Sequence, residues 1–205
     1  IRLFVNDTYE DINSLDFIES TFSIILDLKA KIKKRTLVLC TSYKQISDFK
    51  NLHKLEENIF FQDTTSSKQI LLDNYLKYPD SILFGTSSFW EGVDLPNDKL
   101  EILLILKVPF SNPYNPVVQA KIDTYTKNKM DPFIDYQLAD AILKLKQGIG
   151  RLIRQKDDLG ICILADPRIL KKRYGEIILD SLPIDYTKYK YSSTILHESE
   201  KFLGT

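Results

Sequence analysis

The chain has no Gly-x-x-x-x-Gly-Lys-Ser/Thr phosphate loop and no Asp-Glu-x-His box, so it brings neither the phosphate cradle nor the magnesium carboxylate of a nucleotide hydrolase. It has no run of 18 apolar residues and no charged start leading through an apolar stretch to a small-residue cleavage site. A soluble cytoplasmic protein without membrane contact is therefore expected. Cysteine is scarce: Cys40 and Cys162 each sit in an apolar, strand-like run and read as small buried hydrophobes. His53 and His197 stand alone, without ligand-spaced companions. Gly148-x-Gly150 follows a helical pattern, not a strand, and lacks a third glycine, so the dinucleotide fingerprint fails. There is no excess of either charge: 28 Lys and Arg balance 28 Asp and Glu, which a free-standing nucleic-acid binder would not show. No internal repeat and no low-complexity segment occurs.

At 205 residues and 43% hydrophobic content, the chain is long enough for one sizeable core. Helical periodicity over residues 12–34, 44–56, 66–77, 115–127, 133–147 and 168–181 alternates with short apolar runs at 36–40, 58–61, 81–85, 101–106 and 160–164. Strands that read as continuous apolar runs are covered on both faces, so the pattern predicts an α/β, doubly wound parallel sheet with helices on both sides. The clearest central strand is Ile102-Leu103-Leu104-Ile105-Leu106, and Pro109, Pro113 and Pro116 mark an ordered loop after it. One domain is expected over 1–183. Past Pro183 the chain turns polar and aromatic, and 184–205 reads as a tail packing on the domain surface.

The segment Gln147-Gly148-Ile149-Gly150-Arg151-Leu152-Ile153-Arg154 carries the sharpest chemistry. At 100° per residue a helical turn would gather Gln147, Arg151 and Arg154 within roughly 60° and point Ile149, Leu152 and Ile153 the other way. Two arginines on a packed element form a rigid fork for phosphate oxygens. Each glycine costs a helix interior about 1 kcal/mol relative to alanine, so Gly148 and Gly150 argue for a close backbone approach or a helix start with a purpose.

A second segment, Gly85-Thr86-Ser87-Ser88-Phe89-Trp90-Glu91-Gly92-Val93-Asp94-Leu95-Pro96, follows the apolar run Ile82-Leu83-Phe84, where open α/β sheets place ligands. Together with the Gln147–Arg154 segment it resembles motifs V and VI of superfamily 2 helicases, in the version similar to the DinG branch of the XPD-like DNA helicases. The resemblance extends to Leu37-Val38-Leu39-Cys40-Thr41-Ser42-Tyr43, to Lys107-Val108-Pro109-Phe110 with Asn112-Pro113 and Asn115-Pro116, and to Gly160 through Arg168, covering roughly residues 36–183. It implies a RecA-like fold and the second of two motor domains that clamp ATP between them. The phosphate loop and the Mg ligands would lie on an N-terminal RecA-like domain of the same polypeptide, as would any iron–sulfur cluster. A start at Ile1 without an initiator Met is consistent with a piece of a longer polypeptide.

By this resemblance Arg151 and Arg154 are arginine fingers toward the β- and γ-phosphates, and Gln147 bonds the γ-phosphate or the attacking water. Gly92 would let backbone approach the nucleotide, Asp94 would accept from the ribose or hold a finger arginine, and Glu91 would do the latter. A metal on Glu91 and Asp94 would need more hard ligands than these two. For single-stranded DNA, Thr41, Ser42 and Tyr43, with Thr86, Ser87 and Ser88, offer hydroxyls and backbone N–H groups at strand ends, although the same geometry suits helix caps. Phe89 and Trp90 read as core in preference to base-stacking. Lys144, Lys146, Arg151, Arg154, Arg168, Lys171, Lys172 and Arg173 concentrate positive charge late in the chain, whereas Asp7, Glu10, Asp11, Asp16 and Glu19 make its start acidic. The alternative function is a degenerate helicase-like module of a DinG-type exonuclease, binding nucleotide or nucleic acid without productive unwinding.

Overall fold

A computed structural model describes residues 1–8, 11–52, 57–65, 67–86, 100–152 and 159–204. Seven parallel strands form one sheet among them: β1 (Arg2–Asn6), β2 (Thr36–Leu39), β3 (Ile59–Phe61), β4 (Ile82–Gly85), β5 (Ile102–Ile105), β6 (Ile161–Leu164) and β7 (Tyr186–Tyr189), in the order β3-β4-β2-β5-β6-β1-β7. The expected doubly wound parallel sheet is the fold.

Alternation along each strand sorts side chains into two cores. Phe4, Val38, Cys40, Ile102, Leu104, Ile161 and Ile163 face one side. There α1 (Leu15–Lys31) brings Phe17, Phe22, Ile25 and Leu28, and α2 (Tyr43–Leu52) brings Ile46 and Phe49. Leu3, Val5, Leu37, Leu39, Leu103, Ile105, Cys162 and Leu164 face the other side. There lie α3 (Lys68–Lys77), α5 (Ala139–Ile149), α6 (Arg168–Lys171) and α7 (Arg173–Ser181). Both cysteines are buried and unbonded, and burial pushes both thiols up, as inert small hydrophobes require.

Local chemistry sets the element ends. Ser14 caps α1 by accepting from the Phe17 N–H at 3.1 Å, and Lys29 and Lys31 complement its C-terminus. Asn115 accepts from the Val117 N–H at 3.0 Å, and Pro116 opens α4 (Pro116–Lys127), a helix with no buried residue. A π-helical segment, Pro132–Leu138, links α4 to α5, and Tyr125 of α4 stacks on its Tyr136 at 5.6 Å.

Three elements differ from the sequence expectation. β1 lies in the sheet interior between β6 and β7, although only Leu3, Phe4 and Val5 mark it as apolar. The segment expected as a surface tail supplies β7 and α8 (Ser192–Leu203), with Ile195 and Leu196 in the core. β7 is an edge strand with only Tyr189 buried, so it carries no apolar run to read. Finally, the helical pattern over 168–181 breaks at Lys172, whose extended backbone (φ −108°, ψ 143°) separates α6 from α7.

Candidate functional site

The chain leaves β2 toward α2 on one face and leaves β5 toward α5 on the other: Leu106 joins the first core and Val108 the second. Because β2 and β5 are neighbours, their C-terminal ends part around a crevice of about 200 Å³. Asn13, Thr41, Ser42, Lys44, Asp48 and Lys107 are on its walls. Open α/β sheets receive ligands at such a reversal of strand order.

Thr41, Ser42 and Tyr43 are exposed here. Ser42 Oγ accepts from the Gln45 N–H at 3.3 Å, while Gln45 Oε1 accepts from the Thr41 N–H at 2.8 Å and from its hydroxyl at 3.0 Å. This is a capping-box arrangement shifted by one residue. Gln62 repeats the device one strand further: its Oε1 accepts from the Thr86 N–H at 2.7 Å and from the Thr86 hydroxyl at 3.0 Å, and its Nε2 donates to Tyr43 at 3.1 Å. Thr86 is only 8% exposed, so its hydroxyl is turned to Gln62, away from solvent. The sequence assigned neither glutamine, although Ser42-x-x-Gln45 is a readable capping spacing. Ser87, Ser88, Phe89, Trp90, Glu91, Gly92 and Asp94 lie outside the described residues.

Lys107 continues the wall after β5. Its ammonium donates to Asn13 Oδ1 at 2.9 Å. Burial, aided by the Arg168 charge, pulls it below the ordinary lysine range, against the opposing pull of Asp166, Asp11 and Asp48. The next N–H, of Val108, donates to Asp166 Oδ2 at 2.9 Å. Asp166, 1% exposed, also accepts from Arg168 through its N–H (3.0 Å), Nε (2.9 Å) and Nη2 (2.6 Å). This pairing raises the Arg168 guanidinium, overcoming burial, and commits one cation of the positive cluster late in the chain.

Gln147 and Arg151 lie elsewhere. The last turn of α5 tightens beyond Ile149, with the Arg151 N–H donating to Gly148 O at 3.1 Å and the Leu152 N–H to Ile149 O at 3.0 Å. Gln147 is exposed and Arg151 half-buried, whereas Ile149 and Leu152 are buried. Gly148 and Gly150 therefore close a helix where a start was one expectation. A Cβ on Gly160 would come within 2.9 Å of Leu152 Cβ, so this glycine lets the turn sit against the start of β6. The turn that carries Arg151 and Leu152 thus lies beside the N-terminal edge of the sheet, one turn beyond Gln147, and Thr41, Ser42 and Lys107 stand at the C-terminal edge. Arg154 lies outside the described residues.

The loop after β5 joins the two regions. Lys144 Nζ donates to Asp140 Oδ2 at 2.8 Å and to Ser111 Oγ at 2.9 Å, and Ser111 donates to Asp140 at 2.6 Å. Phe110, Phe133 and Tyr174 form a ring cluster with centroids 5.3–5.7 Å apart, tying loop, π-helical segment and α7 together. Among the described residues, no three His, Cys, Asp or Glu side chains are grouped as metal ligands would be, and no helix is long and apolar enough to cross a membrane.

A parallel sheet of this order, covered on both faces, defines a RecA-like domain. The chain belongs to the helicase C-terminal domain family, whose model matches residues 25–185. It is 40% identical over 173 residues to the ATP-dependent DNA helicase YoaA of Haemophilus influenzae, covering 83% of this chain and 27% of that protein. It is 36% identical over 184 residues to the 3'-5' exonuclease DinG of Bacillus subtilis, covering 85% of this chain and 19% of that one. A solved XPD structure superposes with a TM-score of 0.70 at 18% identity over 92% of this chain and 40% of that chain, a likeness of fold. The chain thus spans about a quarter or less of the length of the curated relatives it matches.

Proposed function

We propose that the chain is the second motor domain of an ATP-dependent DNA helicase, completing an ATP site whose phosphate loop and Mg ligands lie on an N-terminal RecA-like domain of the same polypeptide. The observation that carries this is the split of the candidate chemistry between opposite sheet edges. The turn that carries Arg151 lies beside the N-terminal edge and the hydroxyl-lined crevice at the C-terminal one. One domain can then answer to ATP at one end and to a single strand of DNA at the other.

Arg151 and Arg154 act as arginine fingers on the β- and γ-phosphates, and Gln147, one turn before Arg151, bonds the γ-phosphate or the attacking water. A guanidinium fork stabilises charge that builds on phosphate oxygens during hydrolysis, so it contributes mainly in the transition state. Mg, held by the other domain, would neutralise phosphate charge. Gly92, Glu91 and Asp94 complete the nucleotide side, and Thr41, Ser42, Tyr43, Thr86, Ser87 and Ser88 the DNA side. Among the described members of the last group, the exposed hydroxyls of Thr41, Ser42 and Tyr43 support direct contact with a phosphate, and the Thr86 hydroxyl, turned to Gln62, supports a positioning role.

The test is ATP hydrolysis by the full-length protein with and without single-stranded DNA. Arg151→Ala is expected to lower kcat by about 10³-fold with little change in nucleotide affinity. Parental turnover in that variant would remove Arg151 from the finger role. The name of the Bacillus subtilis relative favours a second reading, a helicase-like module of a DinG-type exonuclease without productive unwinding. DNA-stimulated hydrolysis that drives strand separation excludes it.

A further inference from the structure

Gln62 is a buried amide, 5% exposed, set just beyond β3. Its own N–H donates to Phe84 O at 2.9 Å, so its backbone is fixed against β4. From there the side chain reaches two other strand ends. Its Oε1 takes both donors of Thr86, the residue that follows β4, and its Nε2 donates to Tyr43, which opens α2 after β2. Gln45, a second glutamine at this edge, serves a residue four positions away and completes a local cap. Gln62 spans 24 residues to one partner and 19 to the other, so no local turn calls for it. Burying an amide costs free energy that only full pairing offsets, and here one amide joins the ends of β3, β4 and β2.

The direction of these bonds follows from the partners. A backbone N–H can only donate, so the amide must turn its oxygen to Thr86 and its NH2 to Tyr43. Tyr43 Oη therefore accepts, and its own hydrogen is not used in the bridge. Tyr43 is 43% exposed, which leaves that hydrogen available to a group arriving from solvent. The amide is planar and rigid, so a displacement of the phenol is passed to the Thr86 N–H.

We propose that Gln62 is a positioning residue that aims the Tyr43 hydroxyl outward and ties it to the segment beginning at Thr86, so that a nucleic-acid strand engaging Tyr43 shifts that segment and speeds ATP hydrolysis. The proposal rests on the function above, in which Tyr43 stands on the DNA side, while Glu91, Gly92 and Asp94, on the nucleotide side, follow Thr86 in the sequence. It adds the link between the two sides. Gln62 touches neither DNA nor nucleotide and acts through Tyr43 and Thr86.

The test is the ratio of ATP hydrolysis at saturating single-stranded oligothymidylate to hydrolysis without it, in the full-length protein, so that changes in DNA affinity do not enter. Gln62→Leu, which keeps the size and removes the amide, is expected to lower the ratio about fivefold, in line with one net hydrogen bond. Tyr43→Phe is expected to lower it by a similar factor. The double variant separates positioning from mere support of the fold: where both residues act through one bond, it loses no more than the larger single loss. Gln119→Leu, exposed on α4, where its amide donates to Asp123, keeps the parental ratio. Should Gln62→Leu not fold, Gln62→Glu keeps the acceptor for Thr86 while Tyr43 turns its hydrogen inward to the carboxylate, and it carries the same expected fall. A parental ratio in the folded Gln62 variant, or single losses that multiply in the double variant, overturns this proposal alone. A parent whose hydrolysis does not respond to the single strand overturns the nucleic-acid part of the proposed function with it.

Discussion

Asp140 shows how one side chain ties the loop after β5 to the helix that carries Gln147. Burial acts to raise its carboxyl, but hydrogen bonds from Lys144 and Ser111, with the Lys144 charge, outweigh it and hold the carboxyl below the usual range. A group whose folded pKa lies below its unfolded value adds stability that is complete above the unfolded value, near ~3.9 for Asp. That stability is lost as pH falls through the folded value. Asp140→Asn is therefore expected to cost on the order of 1 kcal/mol at pH 7, because the pair is partly solvated. Denaturant melts from pH 7 downward should show the parent and the variant converging as pH drops below the carboxylate range. A difference that persists to pH 2 would mean that Asp140 acts through shape and not charge.

Among the elements, the junction of α6 and α7 has the least room. A Cβ on Gly175, in the first turn of α7, would lie 1.7 Å from the Ile169 carbonyl oxygen, a backbone atom that cannot rotate away. Gly175→Ala should separate the two helices and cost about 1–3 kcal/mol, as overpacking does; an unchanged unfolding midpoint would refute this close contact. The short helices and the break at Lys172 show where the sequence stopped being legible. Apolar periodicity over 168–181 runs straight across Lys172, because Leu170, Tyr174 and Ile178 keep four-residue spacing on both sides of a backbone bend. The buried strands β2, β4, β5 and β6 were readable because covering on both faces makes each an unbroken apolar run. β1 and β7 were not, since polar ends and a solvent-facing edge interrupt theirs. At the candidate site, the stripe of Gln147 and Arg151 could be read from i, i+4 spacing. The crevice could not: Lys107 and Asn13 are 94 residues apart, and only the strand order joins them.

At the scale of the whole molecule, residues after Pro183 are as much part of the domain as those before. β7 pairs with β1 from Leu3↔Tyr186 to Asn6↔Tyr189, and α8 closes the first core with Ile195, which is fully buried. Arg2 also sits 5.4 Å over the Phe202 ring. Truncation after Pro183 should leave β1 as an open edge and uncover aromatic surface on α1. The expected result is association on size-exclusion chromatography and loss of a cooperative thermal transition. A monomer that melts like the parent would restore a boundary at 183.

The place of β1 between β6 and β7 also governs when the domain can form. Its register partner Ile161 follows Arg2 by 159 residues, so the strand is made early and its neighbours late. At a synthesis rate of roughly 5–20 residues per second, β1 waits on the order of 8–30 s at the ribosome before β6 exists to receive it. For that interval Leu3, Phe4 and Val5 are a sticky, unpaired segment on a nascent chain. Chaperone capture during translation should therefore peak before β6 emerges and fall once it has docked.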